Sequence, residues 1–274
     1  MPFSFPELSI LPFLKKTLHT RHTFTYPRYH SSRVAGKSDR LSLHELNSSK
    51  SFSKMRLGAT VPNFKAQTTQ GNIDFYSWLG DSWCVLFSHP ADFTPVCTTE
   101  LGRIAVHFPH FDRRGVKLLA HSCDKMQSHN DWVADIKSYC LDIPGEFPYP
   151  IIGDESRELA VLLDMLDEKD QSNPDTAMTV RALYVIDPAK KLRLSMLYPA
   201  STGRNVDEIL RVIDSLQLTD KHKVIATPAN WVPGEKVMIL PDVADEDLAT
   251  LFPEGVDKVT MPSGKVYVRT TTNY

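Results

Sequence analysis

The sequence is poor in cysteine: its 274 residues include only four, and no two of them form a CxxC pair. Cys84, Cys97, Cys123 and Cys140 also lack the regular spacing of a disulfide framework, and this pattern is typical of a reducing compartment. The histidines do not combine with these cysteines at the spacings of a zinc site. We therefore expect a fold without disulfides or a bound metal, in which most histidines are surface or hydrogen-bonded residues.

Long apolar runs are missing as well. The N-terminal segment FSFPELSILPFL is too short to cross a membrane, is interrupted by prolines and carries Glu7. Its basic residues, Lys15 and Lys16, follow the apolar run, whereas those of a secretory signal precede it. We expect neither a membrane span nor a secretory signal.

Charge of one sign is not in large excess, since 31 Lys and Arg residues face 33 Asp and Glu residues. Residues 1–54 hold nine of these basic residues and three of the acids, so the remaining chain is mildly acidic. An acidic body argues against nucleic acid as a partner.

The first 54 residues are rich in Ser, Thr, aromatic and basic residues and show no periodicity that would support a packed element. Their few acids and many Arg and Ser residues resemble a mitochondrial transit peptide. A disordered extension without a targeting role, or an upstream start of translation before Met55, explains the segment equally well. We expect a cytoplasmic protein, or a mitochondrial one if residues 1–54 act as a transit peptide.

Residues 55–222 alternate strand and helix patterns, which predicts an α/β fold with a mixed sheet flanked by helices. Residues 223–274 contain short extended pieces, turns and a short helix near residues 246–251, which predicts a small C-terminal α+β domain. The predicted strands are 83–87, 116–120, 151–152, 179–186 and 192–197, with a short extended segment at 72–75. The predicted helices run from Cys97 to Pro109 or Gly115, from a cap at Ser128, along residues 159–166, and from a cap at Asn205 to residue 216.

One cysteine stands out by its position. Pro90 ends the buried strand 83–87 because proline cannot donate to a sheet ladder. Thr94 and Pro95 then read as the N-cap and first residue of a helix, which puts Cys97 in its first turn. Unpaired N–H groups and the helix dipole favour a thiolate there. Cys97 is therefore a candidate nucleophile, although a lone cysteine is more often a small buried hydrophobic residue.

Pro90, Thr94 and Cys97 form the pattern PxxxTxxC, the active-site signature of the peroxiredoxins. The wider stretch FSHPADFTPVCTTELG most resembles the one-cysteine peroxiredoxins, and the resemblance extends over roughly residues 57–274. It implies a thioredoxin-like fold and a thiol peroxidase that needs no cofactor and reduces hydrogen peroxide and organic hydroperoxides. It also implies a homodimer, in which the C-terminal segment packs against the partner subunit.

Peroxide reduction requires a nucleophile and donors that stabilise the departing oxygen. Cys97 would attack the O–O bond and become a sulfenic acid, while the Thr94 hydroxyl supplies one donor. The resemblance places Arg181, in MTVRALYVI, beside the sulfur. A buried charge needs a partner, and Glu100 is a candidate for it. The resemblance also puts His89 near the sulfur, but a plain strand-end histidine explains this residue equally well.

The resolving cysteine of two-cysteine relatives is absent. Those proteins carry a VCPxxW pattern after the last core helix, whereas this chain reads ATPANW, with Thr227 at the cysteine position. The other three cysteines lie in or beside predicted core elements and are interpreted as structural. We expect an external thiol, with glutathione as the leading candidate, to reduce the sulfenic acid.

Two other classes of function stay open. Oxidation of Cys97 could reshape a partner surface in a non-enzymatic peroxide sensor or holdase.

Mammalian one-cysteine peroxiredoxins are also associated with a phospholipase site. Here GDSWC supplies Ser82 without the closing glycine, and Tyr76 and Ala189 stand at the histidine and aspartate positions. Without a base to activate the serine, we interpret Ser82 as a turn residue.

Overall fold

The computed structural model describes residues 55–143, 145–170 and 176–274. The predicted N-terminal extension, residues 1–54, lies outside the described residues, and so do the expectations for its targeting role. Among the residues that are described, no helix is long and apolar enough to cross a membrane.

A seven-stranded mixed sheet forms the main part of the fold, with strand order β2-β1-β5-β4-β3-β6-β7. The central strands β3, β4 and β5 are parallel to one another, and the remaining neighbours pair in antiparallel fashion. The strands are β1 Lys65–Thr68, β2 Gly71–Asp74, β3 Trp83–Ser88, β4 Val116–Ser122, β5 Ile151–Gly153, β6 Arg181–Ile186 and β7 Leu192–Tyr198.

Helices cover both faces of this sheet, as the sequence predicted. They are α1 Phe75–Leu79, α2 Pro95–Val106, α3 Phe108–Asp112, α4 Met126–Tyr139, α5 Glu158–Leu162 and α6 Val206–Lys221. Asn205 caps α6 as expected, since its side-chain oxygen accepts from the N–H of Glu208 at 3.1 Å.

Strand β3 is buried along its whole length because it lies between β4 and β6. Its side chains alternate between two cores, as the pleat of a strand requires. Val85 and Phe87 contact the core shared with α2, α4 and α6, whereas Cys84 and Leu86 contact the core on the opposite face. The carboxyl end of β3 therefore lies in the middle of the sheet, and the loop that follows it leads to the start of α2.

A small second sheet follows Lys223, in agreement with the predicted C-terminal α+β domain. Its strands pair in antiparallel fashion in the order β10-β11-β9-β8, around a core that includes the buried Trp231. The elements are β8 Ile225–Ala226, β9 Val237–Ile239, α7 Leu248–Leu251, β10 Asp257–Val259 and β11 Val268–Thr271.

Two helix starts differ from the predictions. The segment 72–75 is not wholly extended, because Asp74 caps α1 by accepting from the N–H of Ser77 at 3.3 Å. Ser128 does not cap α4, which begins at Met126 after Lys125. The Ser128 hydroxyl instead donates to Asp92 Oδ2 at 2.7 Å, so a tertiary contact uses the group that looked like a local cap.

The region between α5 and β6 also differs from the predictions. Helix α5 ends at Leu162, and Asp164 adopts a φ of 54°, which stops the helical path. Leu166 therefore does not continue the helix but pairs with Thr179 in an isolated bridge. Strand β6 begins at Arg181, two residues later than predicted.

Candidate active site

Cys97 lies in the first turn of α2, where the sequence placed it. Pro95 occupies the first helical position, and the cysteine side chain is fully buried. Pro90 is buried in the loop that joins β3 to this helix. A side chain at this point faces the positive end of the helix dipole and the N–H groups of the first turn.

The helix start has no side-chain cap. Thr94 has the extended backbone of an N-cap residue, but its hydroxyl donates to Ala91 O at 2.9 Å. Thr94 is therefore the N-cap residue, as predicted, but its side chain leaves the first-turn N–H groups uncapped. The uncapped N–H groups of the first turn stay available to an oxygen that approaches the sulfur.

Arg181 brings a positive charge to the sulfur. Its Nη1 lies 3.4 Å from Cys97 Sγ, and the residue is 2% exposed. Two further donors hold the guanidinium in place, since Nε and Nη2 both donate to Ala200 O, at 3.1 and 2.6 Å. Because the cation is fixed and desolvated, it can stabilise negative charge that develops next to the sulfur.

Glu100 joins this arginine to a second one. Its Oε2 accepts from Arg181 Nη1 at 2.5 Å, as the sequence analysis expected. Its Oε1 accepts from the backbone N–H and the Nε of Arg204, at 2.7 and 2.9 Å, and Oε2 accepts from Arg204 Nη2 at 3.1 Å. One buried carboxylate therefore holds two buried guanidinium groups.

The ionisation of Glu100 follows from this arrangement. Burial by itself raises the pKa of the carboxyl group, but the charge and hydrogen bonds of Arg204, together with the charge of Arg181, outweigh burial. The pKa of Glu100 is therefore lowered, and the group stays ionised between its two partners.

Arg204 was not predicted from the sequence. It lies in the loop before α6, where an arginine usually faces solvent, yet it is 8% exposed and also donates to Ala182 O at 2.7 Å. No local signal in GRNVDE marks it as a buried residue. Only the packing of the loop against α2 and β6 reveals its role in holding Glu100.

His89 is fully buried at the end of β3, and its Nε2 lies 2.8 Å from Asp92 Oδ1. Its ring packs against Trp132, with centroids 5.1 Å apart, and its Nδ1 has no hydrogen-bond partner. Burial lowers the pKa of His89, and the hydrogen bond with Asp92 offsets this only in part. No hydrogen bond joins the histidine to the sulfur in this arrangement, so its expected support of Cys97 stays a prediction.

Two family models match the chain. The AhpC/TSA family model matches residues 57–195, and the model of the C-terminal domain of 1-Cys peroxiredoxin matches residues 215–255. The chain belongs to the one-cysteine peroxiredoxins. It is therefore a thiol peroxidase of the one-cysteine type.

Known relatives agree with this assignment. Peroxiredoxin-6 of Gallus gallus is 54% identical over 216 residues, which are 78% of this chain and 96% of the chicken protein. Peroxiredoxin-6 of Homo sapiens is 53% identical over the same shares. Among solved structures, a cysteine-to-serine mutant of peroxiredoxin 6 from Arenicola marina has a TM-score of 0.74 and 53% identity, covering 79% of this chain and 97% of that one.

A yeast mitochondrial 1-Cys peroxiredoxin is also similar, with a TM-score of 0.69 and 44% identity over 79% of this chain and 98% of its own. Its structure is described as the basis of a thiol resolving mechanism via glutathione and thioredoxin systems. These neighbours confirm the thioredoxin-like peroxiredoxin fold that the sequence predicted.

The other three cysteines of this peroxiredoxin are poor thiolates. Burial, with the nearby charge of Asp154, raises the pKa of Cys123 to about 12. Burial also raises the pKa of Cys84 and of Cys140. All four cysteines are free thiols, and among the hydrogen bonds of the described residues only Cys97 has a guanidinium partner. A thiol that stays protonated attacks a sulfenic acid slowly, so none of the three is suited to resolve Cys97.

The phospholipase interpretation gains no support from the peroxiredoxin structure. The hydroxyl of Tyr76, which stands at the histidine position, donates to Val61 O at 2.6 Å. Ser82 lies in the turn before β3, where its N–H donates to Leu79 O at 3.2 Å. Within the described ranges, nothing links the serine to a general base.

Within the described part of the peroxiredoxin, three side chains lie close enough together to hold a metal ion: His89, Asp92 and His129. This group was not predicted from the sequence, because its third member is an aspartate and not a cysteine. The carboxylate comes from the loop after β3 and the second histidine from α4, so only the fold brings them together.

Proposed function

We propose that the protein reduces hydrogen peroxide and organic hydroperoxides at Cys97. The thiolate attacks one peroxide oxygen, the O–O bond breaks, and the second oxygen leaves with a proton as water or an alcohol. The cysteine is oxidised to a sulfenic acid, and the peroxide is reduced by two electrons.

The contact between Arg181 Nη1 and Cys97 Sγ, at 3.4 Å, is the observation that carries this proposal. One guanidinium stabilises the sulfur anion before the reaction and lies next to the oxygen that becomes negative during it. The uncapped N–H groups of α2 supply further donors, because Thr94 does not occupy them. The Thr94 hydroxyl, which donates to Ala91 O, can join them after rotation about its χ1 angle.

An external thiol, with glutathione as the first candidate, then restores the cysteine. One thiol displaces water from the sulfenic acid to form a mixed disulfide, and a second thiol releases Cys97 as the reduced form. Two observations support this step: the other cysteines are poor thiolates, and the similar yeast protein is described with glutathione and thioredoxin systems.

Because Cys97 is fully buried, both the peroxide and the reductant need a movement near the sulfur to reach it, and the loop before α2 is the adjacent loop. Phe93 in that loop has a φ of 53°, a left-handed conformation that costs energy for a residue with a side chain. The residue is 55% exposed, and its ring contacts Trp132, with centroids 6.4 Å apart. We infer that this loop opens to give the peroxide, and then the thiol reductant, access to the sulfur.

We also propose that the chain forms a homodimer. Strand β7 is an outer strand of the large sheet and exposes Leu197, which is 62% accessible. The C-terminal sheet region exposes Val266 and Tyr267, at 57% and 54%. Exposed apolar side chains on and near the sheets favour association with another subunit. Sedimentation of the full chain should give a dimer, and Leu197→Glu should shift it towards monomer, whereas Leu141→Glu at the end of α4 should not.

Steady-state turnover tests the proposed activity. Peroxide consumption should continue for many turnovers with glutathione and glutathione reductase, or with thioredoxin and its reductase, and should vanish in Cys97→Ser. A protein that reacts once per subunit and then stalls with every added thiol would contradict the proposal and favour a peroxide sensor.

A further inference from the structure

Three buried side chains next to the end of β3 surround one point. His89 Nε2 lies 2.8 Å from Asp92 Oδ1, and His129 Nδ1 lies 2.8 Å from Asp92 Oδ2. Each residue offers one nitrogen or oxygen atom that could bind an ion, and these three atoms all lie within 4.8 Å of one another. Both histidine rings are completely buried, and the aspartate is 6% exposed.

The protonation of His129 makes this group unusual. Its Nε2 lies 3.1 Å from Ile152 O, and because a carbonyl oxygen only accepts, this nitrogen carries the ring proton. In the neutral ring, Nδ1 then has no proton and carries a lone pair. It faces the Asp92 carboxylate, which is also an acceptor, so a positive charge is needed between the two atoms.

A second proton on the ring does not fit the geometry well. Although His129 Nδ1 is 2.8 Å from Asp92 Oδ2, a hydrogen placed on that nitrogen has no aligned acceptor. A proton shared by two atoms lies close to the line between them. A metal ion lies off that line, because each ligand directs its lone pair at the ion and not at the other ligand.

The other two ligands lie next to each other. His89 Nε2 lies 2.8 Å from Asp92 Oδ1, so this nitrogen donates to the carboxylate in the structure. An ion bound by Nε2 replaces that hydrogen bond, and the His89 ring proton then lies on Nδ1, which has no hydrogen-bond partner among the described residues. An ionised carboxylate and neutral imidazoles are the forms that bind metals.

Surrounding groups orient the ligands. The Ile152 carbonyl fixes His129, and the Ser128 hydroxyl donates to Asp92 Oδ2 at 2.7 Å. Asp124 accepts from the Asp92 N–H at 3.1 Å and adds a second negative charge nearby. Such outer contacts accompany most metal-binding histidines and carboxylates.

We propose that His89, Asp92 and His129 form a binding site for a divalent transition-metal ion, with zinc as the preferred ion. Two imidazoles and one carboxylate are a common ligand set for zinc and leave a fourth position for water or another small ligand. Ser128 lies at the partly exposed start of α4, so displacement of its hydroxyl gives the ion a path to Asp92. A bound ion links two parts of the fold: helix α4 and the loop that leads from β3 to Cys97.

The test measures zinc affinity of the full chain by competition with a chromophoric chelator. The wild type and Cys97→Ser should each bind one equivalent, because no thiol is a ligand. His129→Asn and Asp92→Asn should each weaken binding by at least about tenfold. His121→Asn is the matched control: His121 is also buried and lies 3.0 Å from Asp154, but lacks a third ligand, so binding should be retained.

A second measurement needs no substitution at the site. Cobalt added to the wild-type chain should give the intense visible bands of a four- or five-coordinate ion with nitrogen and oxygen ligands, and no thiolate-to-metal band. The spectrum of free hydrated cobalt would overturn the proposal. The absence of zinc binding to the wild type, its survival in both His129→Asn and Asp92→Asn, or its loss in Cys97→Ser would overturn it too.

Discussion

Arg181 Nη1 contacts both Cys97 Sγ, at 3.4 Å, and Glu100 Oε2, at 2.5 Å. A single nitrogen is therefore shared between the nucleophile and a buried carboxylate. Glu100 is held in turn by Arg204, so the position of the cation at the sulfur depends on a residue that never contacts the sulfur. The first two predictions follow from this arrangement.

Loss of the Arg181 charge should slow the reaction with peroxide. We expect Arg181→Gln to lower the second-order rate constant by about 100- to 1,000-fold, the usual effect of removing one oxyanion donor. Arg181→Lys should recover only part of the rate, because lysine cannot donate to Ala200 O and the sulfur in the same fixed fork. Stopped-flow competition measures the rates. Arg193→Gln on β7 is the control, and a wild-type rate in Arg181→Gln would contradict the proposed role.

Neutralising Glu100 should destabilise the fold. In Glu100→Gln, Arg181 and Arg204 stay buried without a counter-charge, and we expect a loss of roughly 3–5 kcal/mol in the free energy of unfolding. Urea unfolding measures it. The same substitution at Glu208, which pairs with Arg211 at a partly exposed site, should cost less than about 1 kcal/mol. Equal losses at the two sites would show that the buried pair has no special role.

Stability should fall as the solution becomes acidic, because His89 is buried in its neutral form. Its folded-state pKa lies below the unfolded value of about 6.5, so the unfolded chain binds more protons between these two values. The contribution of His89 to the free energy of unfolding is therefore complete above pH 6.5. It is lost as the pH falls towards the folded-state pKa, by at most about 1.4 kcal/mol per pH unit. Urea unfolding between pH 7.5 and 5.5 should show a shallower dependence in His89→Asn than in the exposed control His110→Asn. Parallel curves for the two variants would refute the assignment.

Helices α2 and α4 approach each other closely at Gly102. A Cβ added to this glycine would clash with Cys140 Sγ and lie 3.1 Å from Cys140 Cβ, so the cysteine side chain or the two helices would have to shift. We expect Gly102→Ala to destabilise the protein by about 1–3 kcal/mol, the typical cost of overpacking. Cys140→Ala should remove most of that cost in the double variant. A double-mutant cycle by urea unfolding measures the coupling, and additive effects would speak against the clash.

Oxidised Cys97 should not form a disulfide within the protein. After one equivalent of peroxide, mass spectrometry should find a sulfenic acid that dimedone traps, and added glutathione should convert it to a mixed disulfide. No internal disulfide is expected because burial raises the pKa of Cys84, Cys123 and Cys140, and a protonated thiol attacks a sulfenic acid slowly. A disulfide from Cys97 in nearly all molecules would show that one of these thiols resolves it.

Local sequence rules were sufficient to locate the nucleophile. An apolar run, Pro90, and the Thr94–Pro95 pair determine where β3 ends and α2 begins, because strand and helix ends depend on backbone preferences of adjacent residues. These residues also carry the pattern that identifies the family. Arg181 could be selected for a related reason, since a charge in an apolar strand implies a buried partner.

The tertiary structure alone decided which partners the side chains take. Thr94 is the N-cap residue of α2 and Ser128 was predicted to cap α4, yet their hydroxyls donate to Ala91 O and Asp92 Oδ2. Arg204 reaches Glu100 from 104 residues away, and Asp92 lies between two histidines that no spacing rule connects. Backbone conformation is set largely by neighbours in sequence, whereas the partner of a buried polar group is set by the order of strands and the helices packed on them.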